Sequence, residues 1–166
     1  MFIYATIPAA AESTTSSTFM YTTNGTANTV TDHLRFLTVS PRACAIQACY
    51  VTGRGAGLTA ISGISFRFMR FATASTTGTA ASIRPRDPGS QAAITTAFSG
   101  AVTIGATPTL QLAFGCGAAG PGGWVAPNPD SVIYLATAGG ANGNVDLLSG
   151  SGTVSLNFDA TVEHAE

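Results

Sequence analysis

Two histidines, three cysteines and eight carboxylates are the groups in this chain able to move protons, ligate metals or attack electrophiles. Their spacing gives them little to work with. Asp32 and His33 are adjacent, and neighbours on a strand point to opposite faces, so the carboxylate cannot orient the imidazole as a general base. His164 lies beyond the last apolar residue of its run, and both histidines are expected at the periphery. No G-x-S-x-G elbow, H-E-x-x-H pair or C-x-x-C pair occurs, and the absence of lysine excludes a P-loop outright. The expectation is a protein that is not an enzyme.

Gly115-Cys116-Gly117-Ala118-Ala119-Gly120 has the G-x-G-x-x-G form and follows an apolar run. A dinucleotide site needs a helix to open there, so that its N-terminal amides meet the pyrophosphate. Pro121-Gly122-Gly123-Trp124 prevents that helix, and a loop at the end of the fold is expected instead. Asp130, Asp146 and Asp159 are too far apart for a calcium loop, so neither metal nor cofactor is expected. Cys44, Cys49 and Cys116 are odd in number and sit among apolar or small residues, which reads as buried free thiols made in a reducing compartment. Five apart on a regular strand, Cys44 and Cys49 point to opposite faces. Asn24-Gly25-Thr26 satisfies a glycosylation sequon, but a tight Asn-Gly turn accounts for it.

The elements that carry these residues are short alternating runs separated by turn signals, with no sustained helical period. Strands are expected at Phe2 to Ile7, Thr18 to Thr23, His33 to Val39, Cys44 to Thr52, Ile64 to Phe71, Val102 to Ile104, Thr109 to Phe114, Ser131 to Thr137, Val145 to Leu148 and Thr153 to His164. In the last, Val154, Leu156, Phe158, Ala160 and Val162 alternate with polar residues. Asn24-Gly25 and Asn142-Gly143 read as hairpins, and Gly53 to Gly57 and Gly115 to Gly123 as glycine-rich connections. The sum is all-β: an antiparallel two-sheet β-sandwich of jelly-roll type. Residues 1–30 form an N-terminal arm or edge strands, and residues 31–166 a single sandwich domain. The low-complexity stretch Ala9 to Ser17 suits an extended arm against a partner or neighbouring subunit.

Composition narrows the function further. Charged residues make up 9% of the chain, against roughly 25% in ordinary soluble domains. All basic residues are arginine, which codon bias or selection for bidentate contacts would each explain. Net charge is -1, so no nucleic acid and no anionic membrane surface is implied. Every arginine lies between Arg35 and Arg86, while six acids and no base follow from Asp87 onward. The first residues lack the basic start of a secretory signal, and no apolar run approaches the ~20 residues of a membrane span.

What is left is a contact surface. In Gly63 to Ala93 a patterned strand, with Arg67 and Arg70 in it, runs into Thr, Ser and Gly. The rigid turn Arg84-Pro85-Arg86-Asp87-Pro88-Gly89 follows, and proline limits the freedom its guanidinium groups lose on binding. Trp124, in a glycine and proline loop, is either a plug for the core or an anchor for a ligand or partner.

This order of motifs resembles a group of small tailed-bacteriophage virion proteins of the jelly-roll capsid decoration (cement) or head-fibre type. The resemblance is carried by ISFRFMRFAT, the Pro85-Arg86-Asp87-Pro88 element with GSQAA after it, ACAIQACYVTGR, the Trp-bearing loop, DSVIYLATA, GNVDLLSG and the final alternating strand, over Thr31 to Glu166. It implies a non-enzymatic protein, made in the host cytoplasm, that sits on the outer capsid surface of the virion. Its partners would be the major capsid protein and its own copies, often as a trimer, and it would stabilise the shell by bridging subunits. Arg67, Arg70, Arg84, Arg86 and Asp87 are the expected capsid or subunit contacts. In relatives the position of Arg86 is more often apolar, which shifts this turn from packing toward contact. The alternative is a carbohydrate- or receptor-binding virion module, a head fibre or tail tip, with Trp124 as its platform.

Overall fold

The clearest alternation in the sequence becomes the middle of a sheet: Phe158, Ala160 and Val162 are buried, while Asp159, Thr161 and Glu163 stay partly wet. The computed structural model describes residues 18–27, 31–37, 43–54, 63–73, 75–81, 83–87, 89, 92–93, 95–117, 121–136, 143–149 and 156–166. Its strands are β1 (Thr18–Ala27), β2 (Thr31–Leu37), β3 (Cys44–Arg54), β4 (Gly63–Phe71), β5 (Thr76–Ala81), β6 (Arg84–Pro85), β7 (Thr96–Thr103), β8 (Pro108–Gly117), β9 (Pro121–Val125), β10 (Ile133–Leu135), β11 (Asn144–Ser149) and β12 (Leu156–Ala165). Among the described residues one 3-10 turn, Pro129–Ser131, precedes β10, with Asn128 accepting from the Asp130 amide as its cap. The chain is an all-β, antiparallel sandwich. The expected strand Phe2 to Ile7 and the arm residues before Thr18 lie outside the described residues.

Sheet A has the order β10-β3-β12-β1-β6, with β9 beside β10 on the same edge of β3; sheet B has the order β5-β7-β2-β11-β4-β8. The pairing is nested. β1 pairs with β12, β2 with β11, β3 with β9 and β10, and β4 with β8. Two further pairs, β12 with β3 and β11 with β4, join these into sheets. β1 falls within the segment expected as an arm or edge strands, yet it is a full partner of β12 along its whole length.

The sheets meet through aromatic contacts. Phe66 of β4 meets Phe158 of β12 edge-on at 4.9 Å and stacks with Phe114 of β8 at 5.8 Å. Phe68, Val145, Leu147, Ile46, Val51 and Leu135 complete a core drawn from both sheets. Each fully buried side chain of this kind stabilises the fold by about 1.5–3 kcal/mol relative to exposure.

Several expectations are corrected by long-range pairing. Asn24-Gly25 is no hairpin: it runs through β1, with Asn24 opposite Asp159 and Gly25 opposite Phe158. Ten cross-strand pairs with β12 outweigh a local turn preference. Of Asn142-Gly143, Asn142 lies outside the described residues; the strands on either side, β10 and β11, belong to sheets A and B and do not pair with each other. Gly115 to Gly117 end β8, and Gly122 and Gly123 belong to β9. A β-carbon on Gly122 would fall 2.3 Å from the Gly115 carbonyl, and one on Gly123 would fall 2.5 Å from the Cys49 carbonyl. Glycine here permits close backbone approach rather than a loop.

Cys44 and Cys49 both face the core. Glu163 pairs with Ala48 but His164 with Ile46, so Gln47 is the extra residue of a β-bulge that reverses the parity between the two cysteines.

Between β4 and β8 the chain makes an excursion that widens both sheets: β7 joins β2, β5 joins β7, and β6 joins β1. Its ends cross the outer face of sheet B. There the amides of Ala72 and Thr73 donate to the carbonyls of Thr107 and Ala106 at 3.4 and 3.5 Å. Ser75 donates its hydroxyl to Asp146, accepts from the Gly105 amide at 2.9 Å, and offers its carbonyl to the Arg35 guanidinium. Arg35 in turn lies 4.1 Å over the Phe98 ring. Every residue of β11 is buried, polar Asn144, Asp146 and Ser149 included, Val145 and Leu147 in the core and Asp146 under this roof.

Candidate functional site

The five arginine and aspartate positions expected as contacts are dispersed, and the fold uses three of them itself. Arg86 extends from the turn after β6 to Glu163 of β12, at 3.2 Å. Asp87 accepts the amide of Gly89 at 2.9 Å, which closes an Asx turn. Arg70, near the end of β4, crosses to sheet A and donates to the carbonyl of Tyr134. Arg84, opposite Met20 on the edge of sheet A, is exposed, as is Arg67 on the outer face of β4. Among the described residues these two guanidinium groups make no hydrogen bond or ion pair.

Trp124 stands opposite Cys49 on β9 and turns inward, its ring 6.5 Å edge-on from Phe68. It plugs the core. The aromatic rings on the surface of that edge are tyrosines, Tyr50 of β3 and Tyr134 of β10, with Val125 of β9 between them along the strand direction and 56% exposed. The sequence signal for Tyr50 was its place in an alternating run, and the bulge at Gln47 obscured which face that place meant.

A second apolar surface lies on sheet B, where the roof stops. A cleft of about 200 Å³ runs along the outer face of β4, floored by the buried Phe71 and Leu148 and walled by Met69, Ile104 and Pro108. The exposed Arg67 is the lining residue that carries a charge, and Ser149 is the other polar one. Ile104, 40% exposed, and Leu110, 54% exposed and directly opposite Met69, extend the apolar area beyond the cleft.

The groups with reactive chemistry are built into packing. His164 is fully buried rather than peripheral; its Nε2 lies 3.3 Å from Glu166 Oε1, which also accepts the Thr95 amide at 2.7 Å. That latch ties the segment after β12 to the approach to β7. Cys44 lies nearby, yet burial pushes its thiol up to about 12, with the Glu166 charge adding to the rise and a hydrogen bond from Thr95 opposing it. Burial alone raises Cys49 to about 12, and burial raises Cys116 as well. Such thiols stay protonated and unreactive at neutral pH. Asp32 and His33 fall in β2, with His33 the extra residue of a bulge against Leu147 and Leu148. Among the described residues no three His, Cys, Asp or Glu side chains converge as a metal site. The arrangement can bind through surfaces.

Compared with known family models, curated proteins and solved structures, the chain matches none of them.

Proposed function

We propose that this chain is a capsid decoration protein of a tailed bacteriophage, bound to the outer shell and stabilising it by bridging subunits of the major capsid protein. One observation carries the reading. A bridge needs two contact surfaces, and the sandwich offers one on each outer face: Tyr50, Val125 and Tyr134 on sheet A, and Ile104, Leu110 and the Arg67 cleft at the β4–β8 edge of sheet B. Monomeric domains seldom carry exposed large apolar groups in clusters without using them. The nested pairing of β1 to β4 with β12 to β8 supports a jelly roll, the rolled-up ribbon with two Greek keys seen in capsid-type domains. The order of motifs in the sequence supports the phage assignment.

In this reading the packaged genome strains the shell, and binding at many symmetric sites favours the intact particle by mass action. A trimer would multiply the contacts each decorating unit makes. Arg84, free at the edge of sheet A, serves the shell or a neighbouring copy through a charge-assisted contact, and Arg86 holds the turn in place through Glu163. The test compares heat-induced DNA release from particles with and without the protein. Earlier release from the bare particles is the expected result, and identical release would sink the cement role.

A second reading, a carbohydrate-binding virion module, is favoured by the two exposed tyrosines, since a half-exposed ring can stack on a sugar face. Trp124, partly buried and packed on Phe68, offers less ring surface than these tyrosines. Glycan-array binding that disappears in Tyr50→Ala with Tyr134→Ala would transfer the conclusion to this reading.

A further inference from the structure

We infer that the cleft on β4 is an anchor site for a protein segment that presents one apolar side chain with a carboxylate next to it. The volume, about 200 Å³, is below the ~300–1,000 Å³ of sites that enclose a small-molecule ligand, and fits a single side chain. The floor of Phe71 and Leu148 is apolar and already buried, so an entering side chain gains contacts without uncovering polar groups. The exposed Ile104 and Leu110 continue that surface outward, as a contact with a macromolecule requires.

Charge selects the neighbour of the apolar residue. Arg67 is free of ion pairs among the described residues and lines a cleft whose other lining residues are apolar except for Ser149, where a guanidinium favours a carboxylate and repels a cation. Arg84 lies apart from this cleft, on the edge of the other sheet opposite Met20. In the sequence both arginines fall in the one contact segment Gly63 to Ala93, Arg67 in its strand and Arg84 in its turn. The fold separates them, and Arg67 is the one that lines the cleft on β4. The identity of the partner as a shell subunit rests on the capsid reading; the chemistry of the site does not.

The experiment titrates the isotope-labelled full chain with acetyl-Ala-Leu-Glu-Ala-amide and, separately, with acetyl-Ala-Leu-Lys-Ala-amide. Saturable shifts of the backbone amides at Arg67, Met69, Ile104 and Leu110 are expected with the glutamate peptide, at about tenfold or greater preference over the lysine peptide. Arg67→Glu should reverse that preference, and Arg67→Gln should abolish it; both change an exposed side chain and leave the fold intact. Equal binding of the two peptides, or shifts confined to other surfaces, would overturn the inference. A parallel arm measures occupancy on purified capsids. Wild-type chain that ignores capsids while keeping the peptide preference removes the capsid reading and leaves the cleft standing. Capsid occupancy unchanged in Arg67→Glu, with no peptide preference in the wild type, overturns the cleft and leaves the capsid reading.

Discussion

The two outer faces of the sandwich differ sharply. Sheet A exposes its outer surface, with Tyr50, Val125 and Tyr134 open to solvent, whereas the outer surface of sheet B along β11 is closed over by residues flanking β5 and β8. The inner faces obey one rule, burial of alternate apolar residues; the outer faces obey none in common. The closed face is held by polar groups, Arg35, Ser75 and Asp146, in hydrogen bonds that bury charge-bearing side chains beneath Thr and Ser. A covered face therefore need not be an apolar face, and what sheet B leaves open to another molecule is its β4–β8 edge, beyond the roof.

Breaking the inner seam should erase the contrast altogether. Phe66→Ala removes a ring that joins both sheets and is expected to cost about 3–5 kcal/mol, read by chemical denaturation. Damage to the roof should be smaller and local. Ser75→Ala deprives Asp146 of a donor and the Gly105 amide of an acceptor, a loss of about 1–3 kcal/mol, with faster amide exchange at Gly105 while the amides of β3 stay protected. Global unfolding with no preferential exchange there would show the roof to be part of the core.

Alkali should strike the seam and spare the roof, because Cys44 and Cys49 lie in the core and no cysteine lies in the roof. Their folded pKa values, about 12, exceed the unbound value of 9.0, so their contribution is complete below pH 9 and is lost progressively between pH 9 and 12 as the unfolded chain ionises first. At pH 10 this amounts to about 1 kcal/mol for each thiol. Denaturation midpoints should fall over that window, and less so in Cys49→Ala. Least of all, Tyr50→Ser with Tyr134→Ser on the bare face should leave stability within about 0.5 kcal/mol while reducing capsid occupancy. A large loss of stability would mean that this face is structural.

How much of this was readable in advance follows from the range of the interactions. Ile64 to Phe71, Cys44 to Thr52 and the final strand were legible because their alternation is local and one face is buried. β5 and β7 were largely missed, since Thr76 to Ala81 and Thr96 to Thr103 carry few large apolar residues and are strands because β2 and one another pair with them. β9 read as a loop because glycine signals a turn nearby and close packing at a distance, and only the neighbour at Gly115 distinguishes them. Of the candidate contacts, the arginine turn was visible through its prolines. The cleft was not: its walls come from β4, β11 and the approach to β8, which nothing in the local sequence brings together.

The nesting of the strands also sets an order in time. β12 lies between β1 and β3, so a ribosome that has made residues 1–155 has produced both flanking strands but not the strand that separates them. Sheet A cannot take its final form during most of synthesis, and the facing edges of β1 and β3 wait as unsatisfied templates. Long-range pairing of this kind folds in milliseconds to seconds rather than microseconds. A nascent chain truncated before Leu156 should accordingly be captured by chaperones or aggregate, and a host that shortens that waiting interval, by faster elongation through residues 55–155, should raise the soluble yield.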